Sequence, residues 1–283
     1  MHQVISGSIA GIQFEAALVT TDDELRIVVE RLQGIRTVAL DMETTGYEGQ
    51  KDYGPGSGEI RLVQLAWYKR GELNVVVIDG KTADLSLLVP FFEGPAKKVV
   101  HYSPFERQWI SHHLGAKLEG VIDTCYLGQS INKNLRGKVA KALVKNKEDF
   151  TALQRALFKA EEVYELPSGR EVTIKQAQDA LVWTEIPLYS LVDETVCADA
   201  FQGWQLDERA TLAAMAYRYL GQELDKEGQT SDWSGWLTSD QLLYAAGDAV
   251  VTLTILEPVS KTAKALRLYS RTLRRSKHDL ERG

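Results

Sequence analysis

The chain has only two cysteines, Cys125 and Cys197, among 283 residues. Two isolated thiols supply neither a disulfide framework nor the paired spacing of a zinc site, and they point to a reducing, intracellular setting. No apolar run approaches the roughly 20 residues that cross a bilayer. The N-terminal stretch has no basic patch followed by an apolar segment, so no signal peptide is expected. The glycine-rich segment 46–58 lacks the Gly-Lys-Ser/Thr ending of a phosphate-binding loop. Histidine is scarce at five residues, and the pair His112-His113 reads as helix surface rather than as metal ligands. A net charge of −6 leaves no general excess of base, which excludes a protein that coats nucleic acid indiscriminately. These absences predict a soluble, cytoplasmic protein with no membrane partner.

The hydrophobic fraction of 44% and the charged fraction of 25% are those of a chain that folds around a core. In the first half strands and helices alternate. A helix is expected over residues 22–33, capped by Thr21 and Asp22, and a strand over 37–43. Strands at 60–67 and 73–78 are joined by the turn Lys69-Arg70-Gly71. A short helix over 85–92, a strand over 98–101, a helix over 103–114 and a short strand at 121–122 follow. This order predicts an α/β layer. The second half is mainly helical, with helices over 207–220 and 240–256. Thr238 and Gln241 have capping-box spacing at the start of the latter. Residues 131–205 read as a largely helical insertion, with a hairpin at 161–174 around Pro167-Ser168-Gly169. After Pro258 a basic helix is expected over 259–277.

Base is gathered in two places. Lys133, Arg136, Lys138, Lys141, Lys145 and Lys147 form one segment. Lys261, Lys264, Arg267, Arg271, Arg274, Arg275 and Lys277 form the other. Either alone reads as a solvated helix face.

Acid is gathered in three. In the strand Thr37-Val38-Ala39-Leu40-Asp41-Met42-Glu43, alternate residues share a face. Val38, Leu40 and Met42 point into a core, while Asp41 and Glu43 point together to the other side. Two adjacent carboxylates repel, and a divalent cation would relieve them. On the late helix, Tyr244 and Asp248 stand four apart and project together. Leu242, Ala245, Ala249 and Leu253 form a separate apolar stripe. The third element is His101-Tyr102-Ser103-Pro104-Phe105-Glu106, where Pro104 suits the first helical position. There Glu106 admits two local readings: a capping box with Ser103, or a metal-facing carboxylate. The expected role of His101 is a structural hydrogen bond, and that of Phe105, Trp233 and Trp236 is packing.

Taken together, Asp-x-Glu on an early strand, a carboxylate at a helix start after a second strand, and Tyr-x-x-x-Asp on a late helix resemble the DEDDy exonucleases. That superfamily includes ribonuclease D and the proofreading domain of bacterial DNA polymerase I. Ala39-Leu40-Asp41-Met42-Glu43-Thr44-Thr45-Gly46 is similar to its first motif. Ser231-Asp232-Trp233, Leu237, Gln241-Leu242-Leu243-Tyr244-Ala245-Ala246 and Asp248 are similar to its third. The resemblance covers roughly residues 20–130 and 207–258. It implies an RNase H-like (DnaQ-like) mixed β-sheet flanked by helices, in one domain over residues 1–283. It implies two divalent metal ions, Mg²⁺ or Mn²⁺, held by Asp41, Glu43, Glu106 and Asp248, with Tyr244 orienting the attacking water. Thr44 and Tyr47 would approach the terminal nucleotide, with Tyr102 near a base and Arg274 and Arg275 along the backbone. The chain departs from the family pattern in three ways. Glu106 stands where Asp is usual, Tyr102 where Asn often follows the histidine, and residues 131–205 have no counterpart in the minimal domain.

The activity so implied is 3′→5′ hydrolysis of a single-stranded 3′ end, releasing nucleoside 5′-monophosphates. DNA is favoured over RNA because no accessory RNA-binding domain follows residue 258. Ribonuclease D-like trimming of RNA is the first alternative. A silent binding module, suggested by Glu106, is the second. The third is a subunit docked to a replication or repair protein.

Overall fold

The computed structural model describes residues 3–45, 54–143, 163–165, 171–173, 210–221, 223–224 and 231–278. Seven strands form one mixed sheet: β1 (Gln3–Ile9), β2 (Ile12–Val19), β3 (Thr37–Thr44), β4 (Ile60–Lys69), β5 (Glu72–Asp79), β6 (Lys97–Val100) and β7 (Val121–Asp123), in the order β1-β2-β5-β4-β3-β6-β7. The meander β3–β4–β5 is antiparallel, while β6 and β7 continue in parallel from β3. The β4–β5 turn places Arg70 at φ 55 and Gly71 at φ 86, the two left-handed positions that suit a twisted hairpin. The β1–β2 hairpin extends the sheet beyond β5. It was not expected from sequence, because its turn residues, Ala10 and Gly11, lack the Asn-Gly or Asp-Gly signature.

The sheet has two covered faces. On one, Val38, Leu40 and Met42 of β3 join Val63, Leu65 and Trp67 of β4 beneath α1 (Asp22–Leu32), α2 (Val89–Glu93) and α3 (Pro104–Leu114). A 3-10 turn over Leu85–Leu88 precedes α2, so the short helix expected at 85–92 is in fact two pieces. On the other face, Ala39, Leu62, Ala66, Val75 and Val77 pack against Leu242, Ala245, Ala246, Ala249 and Leu253 of a long helix. The alternation expected for β3 is therefore observed.

Among the described residues, α4 (Thr124–Leu143), α5 (Leu212–Leu220) and the long α6 (Ser239–Ala265) lie on that second side. The α6 helix is apolar on two flanks because it is sandwiched: one flank meets the sheet, and Val251, Ile255, Val259 and Ala263 meet α4 and α5. It begins with the expected capping box, Thr238 with Gln241. It does not stop at Pro258. Proline removes one backbone donor, a cost of about 3 kcal/mol in a helix interior. Burial of Val259, Ser260 and Ala263 beyond it carries the helix on to Ala265. The chain breaks only at 266–268, where Arg267 has φ 58, and the last helix, α7, spans Tyr269–His278. The basic helix thus begins about ten residues later than expected. At 27 residues, α6 is also long and apolar enough to span a bilayer, a length the sequence reading cut short at Pro258. Its apolar window is 61% buried within the protein.

Short strands β8 (Val163–Glu165) and β9 (Glu171–Thr173) pair antiparallel, as the expected hairpin requires. The rest of the presumed insertion from 144 to 205 lies outside the described residues.

One buried arginine ties the segment before α6 to the sheet. Between the pairs Glu43↔Leu62 and Thr44↔Ile60 the register shifts, so Arg61 is an extra residue on β4. Such bulges re-aim a side chain. Arg61 gives Nε and one terminal nitrogen to the two oxygens of Asp79, at 3.0 and 3.2 Å. Its other terminal nitrogen donates to the carbonyls of Trp233 and Gly235, at 2.9 and 2.8 Å. Every arm of the guanidinium is used, and the segment leading into α6 is pinned. Arg61→Met would strand a buried Asp79 and is expected to cost about 3–5 kcal/mol in urea unfolding. A loss below about 1 kcal/mol would mean that the pair is solvated like a surface bridge.

Candidate active site

Two elements bring three carboxylates together where the end of β3 passes under α6. Asp41 and Glu43 rise from the strand toward the helix, and Asp248 comes down from its third turn. One carboxylate oxygen from each lies within 4.8 Å of the others, and all three residues are half-buried. Tyr244, one turn earlier on α6, hydrogen-bonds the Asp248 carboxylate, as the four-residue spacing requires. Small residues make this approach possible: Ala245, Ala246 and Ala249 are fully buried against the sheet.

Glu106 comes from the first turn of α3 and is only 2% exposed. It is not part of the tight trio, but its charge acts on Glu43, and the charge of Asp41 acts on it. The capping box with Ser103, one of the two local readings of Glu106, is not formed. Ser103 has helical angles and makes no side-chain cap. Asp123, at the end of β7, does the capping instead. Its carboxylate accepts from the backbone N–H of Ser103 at 2.7 Å and Tyr102 at 3.3 Å, and from that of Tyr126 at 3.0 Å. Glu106 is thereby released from a capping role, and its Oε2 is buried with no hydrogen-bond partner. Asp123 carried no sequence signal for capping α3, since Tyr102 and Ser103 lie 21 and 20 residues away.

Tyr102 holds φ 75 and is 50% exposed. A bulky side chain in this left-handed region is strained by about 1–3 kcal/mol, and asparagine tolerates it better. His101 bonds Thr124 through Nδ1 at 2.9 Å, while the Thr124 hydroxyl donates to the Val100 carbonyl. That is the structural role expected of it. Phe105 packs against Trp109, also as expected. Thr44 is only 3% exposed. Trp233 is buried and packs near Tyr244, whereas Trp236 is 98% exposed, so only the first has the packing role expected of both. Tyr47 lies outside the described residues, as do the side chains of Arg274 and Arg275. Gly58 closes the loop beside the site. A Cβ there would lie 2.3 Å from the Thr45 carbonyl and 2.9 Å from the Trp109 ring, so no larger residue fits.

Withdrawal from water is the largest cause of a shift in every carboxylate here. It raises Asp41, Glu43 and Glu106 well above the usual carboxylate range, and neighbouring negative charge raises them further. Asp248 is pushed up to about 7 despite the opposing hydrogen bond from Tyr244. Burial and the acids around it raise the Tyr244 hydroxyl too, so it keeps its proton at ordinary pH. The donors are all oxygens, with neither histidine nor cysteine among them. Such a set suits a hard divalent cation, and the orphaned oxygen of Glu106 fits the same need.

A carboxylate cluster of this kind on a mixed sheet fits the metal site of a phosphodiesterase. The comparisons narrow it. Residues 16–147 and 138–262 match the 3′-5′ exonuclease family, and the chain belongs to that family. The split between the two matches falls within the stretch read as an insertion. No curated protein matches the chain in sequence. In structure it is similar to Escherichia coli RNase D, an exoribonuclease involved in structured RNA processing, with TM-score 0.57 and 19% identity over 94% of this chain and 49% of that one. It is also similar to the catalytic core of Trypanosoma brucei RRP6, with TM-score 0.55 and 15% identity over 92% and 50%. The Aedes aegypti Nibbler EXO domain gives TM-score 0.52 and 17% identity over 90% and 92%. These likenesses establish the expected RNase H-like fold. The chain spans about half the length of the first two.

The raised carboxylates set a sign for stability. A group that holds its proton more tightly in the folded state stabilises the fold below its unfolded pKa and loses that contribution as pH rises through the folded value. In EDTA the melting temperature should fall as pH rises from 3.8 to about 7, the span over which Asp248 is shifted. Excess Mn²⁺ should reverse the trend, because metal and protons compete for the same oxygens. A flat profile in EDTA would contradict the electrostatics described here.

Proposed function

We propose that the protein removes nucleotides one at a time from a single-stranded RNA 3′ end, releasing nucleoside 5′-monophosphates. The observation that carries this reading is the convergence of Asp41, Glu43 and Asp248 within 4.8 Å, with Tyr244 bonded to one of them. Asp41, Glu43 and Asp248, with Glu106, would hold two divalent ions, Mg²⁺ or Mn²⁺. Such ions supply a nucleophile at neutral pH and charge neutralisation at the leaving oxygen. The protein's part is to fix their ligands and the water. Tyr244 keeps its proton, so its hydroxyl can hold a water for in-line attack without adding negative charge.

The RNA assignment draws on RNase D, an exoribonuclease involved in structured RNA processing. The sequence favoured DNA for want of an RNA-binding domain after residue 258, but a chain spanning half of such relatives supports no conclusion from where it ends. Substrate contacts would come from Tyr102, which is strained and half-exposed just before α3, and from Thr44 and Tyr47 near the terminal nucleotide. Arg274 and Arg275 would follow the backbone. All of this would sit in a single domain over residues 1–283.

The test uses 5′-labelled RNA and DNA of one sequence with Mg²⁺, Mn²⁺ or EDTA, beside Asp41→Asn. The expected result is a metal-dependent ladder shortening from the 3′ end, faster on RNA and absent in the variant. Faster shortening of DNA would overturn the substrate assignment alone. No shortening of either would leave a silent binding module.

A further inference from the structure

One polar side chain beside the site is unexplained by packing, capping or ion pairing. Gln64 lies in the middle of β4, where the run Leu62-Val63-Gln64-Leu65-Ala66-Trp67 is otherwise apolar and fully covered. Gln64 is itself 0% exposed. Neither its amide nitrogen nor its amide oxygen has a hydrogen-bond partner. Buried amides are nearly always paired, and one with both ends orphaned calls for a reason.

Position supplies one. Gln64 is the direct cross-strand partner of Asp41, and its other strand neighbour is Val77. Directly opposed residues in an antiparallel pair put their side chains on the same face. The face is the one under α6, shared with Leu62 and Ala66. Of these sheet neighbours only Asp41 offers a polar group. An amide can donate to a carboxylate oxygen through its NH₂ group and accept from a water through its carbonyl at the same time.

We propose that Gln64 is a positioning residue of the metal centre. With a divalent cation held by Asp41, the N–H of Gln64 would donate to the Asp41 carboxylate and its carbonyl would accept from a water, which would satisfy both ends of an amide that otherwise has no partner. Mg²⁺-like ions keep several waters when bound by few carboxylates. Groups that orient metal ligands are typically worth 10–100-fold in metal affinity. The inference rests on the metal-site reading above and adds to it the residue that aims Asp41.

The test is Gln64→Met, which keeps the volume and removes both polar ends. With no partner lost in EDTA, the variant should melt at the wild-type temperature or higher. The Mn²⁺ concentration at half-maximal thermal shift should rise roughly 10- to 100-fold. A lower melting point in EDTA with an unmoved Mn²⁺ midpoint would make Gln64 a packing residue and overturn the proposal, as would an unmoved midpoint alone. A wild-type protein that shows no Mn²⁺ shift would instead bring down the metal-site reading itself. Should the variant fail to fold, a wild-type crystal structure with Mn²⁺ decides. An amide nitrogen within hydrogen-bond distance of Asp41 upholds the role, and an amide still without a polar neighbour removes it.

Discussion

Carboxylates repel one another, and the repulsion grows as water is withdrawn from between them. Asp41, Glu43 and Asp248 nevertheless lie with oxygens within 4.8 Å of each other, half-buried, with Glu106 close enough to add its charge. Left to themselves these side chains would separate. The surrounding architecture holds them together against that tendency. Backbone pairing fixes Asp41 and Glu43 on one strand, and an apolar helix pressed onto the sheet by alanines fixes Asp248.

The supports lie away from the acids themselves. Arg61, extruded by a bulge next to Glu43, clamps the segment that leads into α6 and so sets where Tyr244 and Asp248 fall. Asp123 closes the start of α3 from a different strand and thereby frees Glu106. The burial that gives α6 its apolar character on both flanks carries it past Pro258. Local structure at each point follows from a long-range contact, and the site follows from the sum of these contacts.

That division explains what could be read in advance. The period-two alternation of Val38, Leu40 and Met42 against Asp41 and Glu43 is a local signal, as are the Thr238–Gln241 cap and the Tyr244–Asp248 spacing, and all three were legible. The capping of Ser103 by Asp123 was not, because the sequence offered a nearer candidate in Glu106. Pro258 misled because intrinsic propensity marks a stop that tertiary burial overrides. Gln64 had a signal that could have been used, a lone amide in a run of buried apolar residues, but its place opposite Asp41 comes from the β3–β4 pairing, which no local turn signature sets. Arg61 needed the bulge, which no residue pattern announces.

If the acids are held together at the expense of the fold, then neutralising them without changing their shape should stabilise the protein while removing its chemistry. The direct measurement is the melting temperature of the double variant Asp41→Asn, Glu43→Gln in EDTA, at a pH above the Asp248 value of about 7. The account predicts that the variant melts higher than the wild type and cleaves nothing when Mn²⁺ is restored. A variant that melts lower would show that these carboxylates stabilise the fold, and would contradict the claim that the site is a store of repulsion awaiting cations.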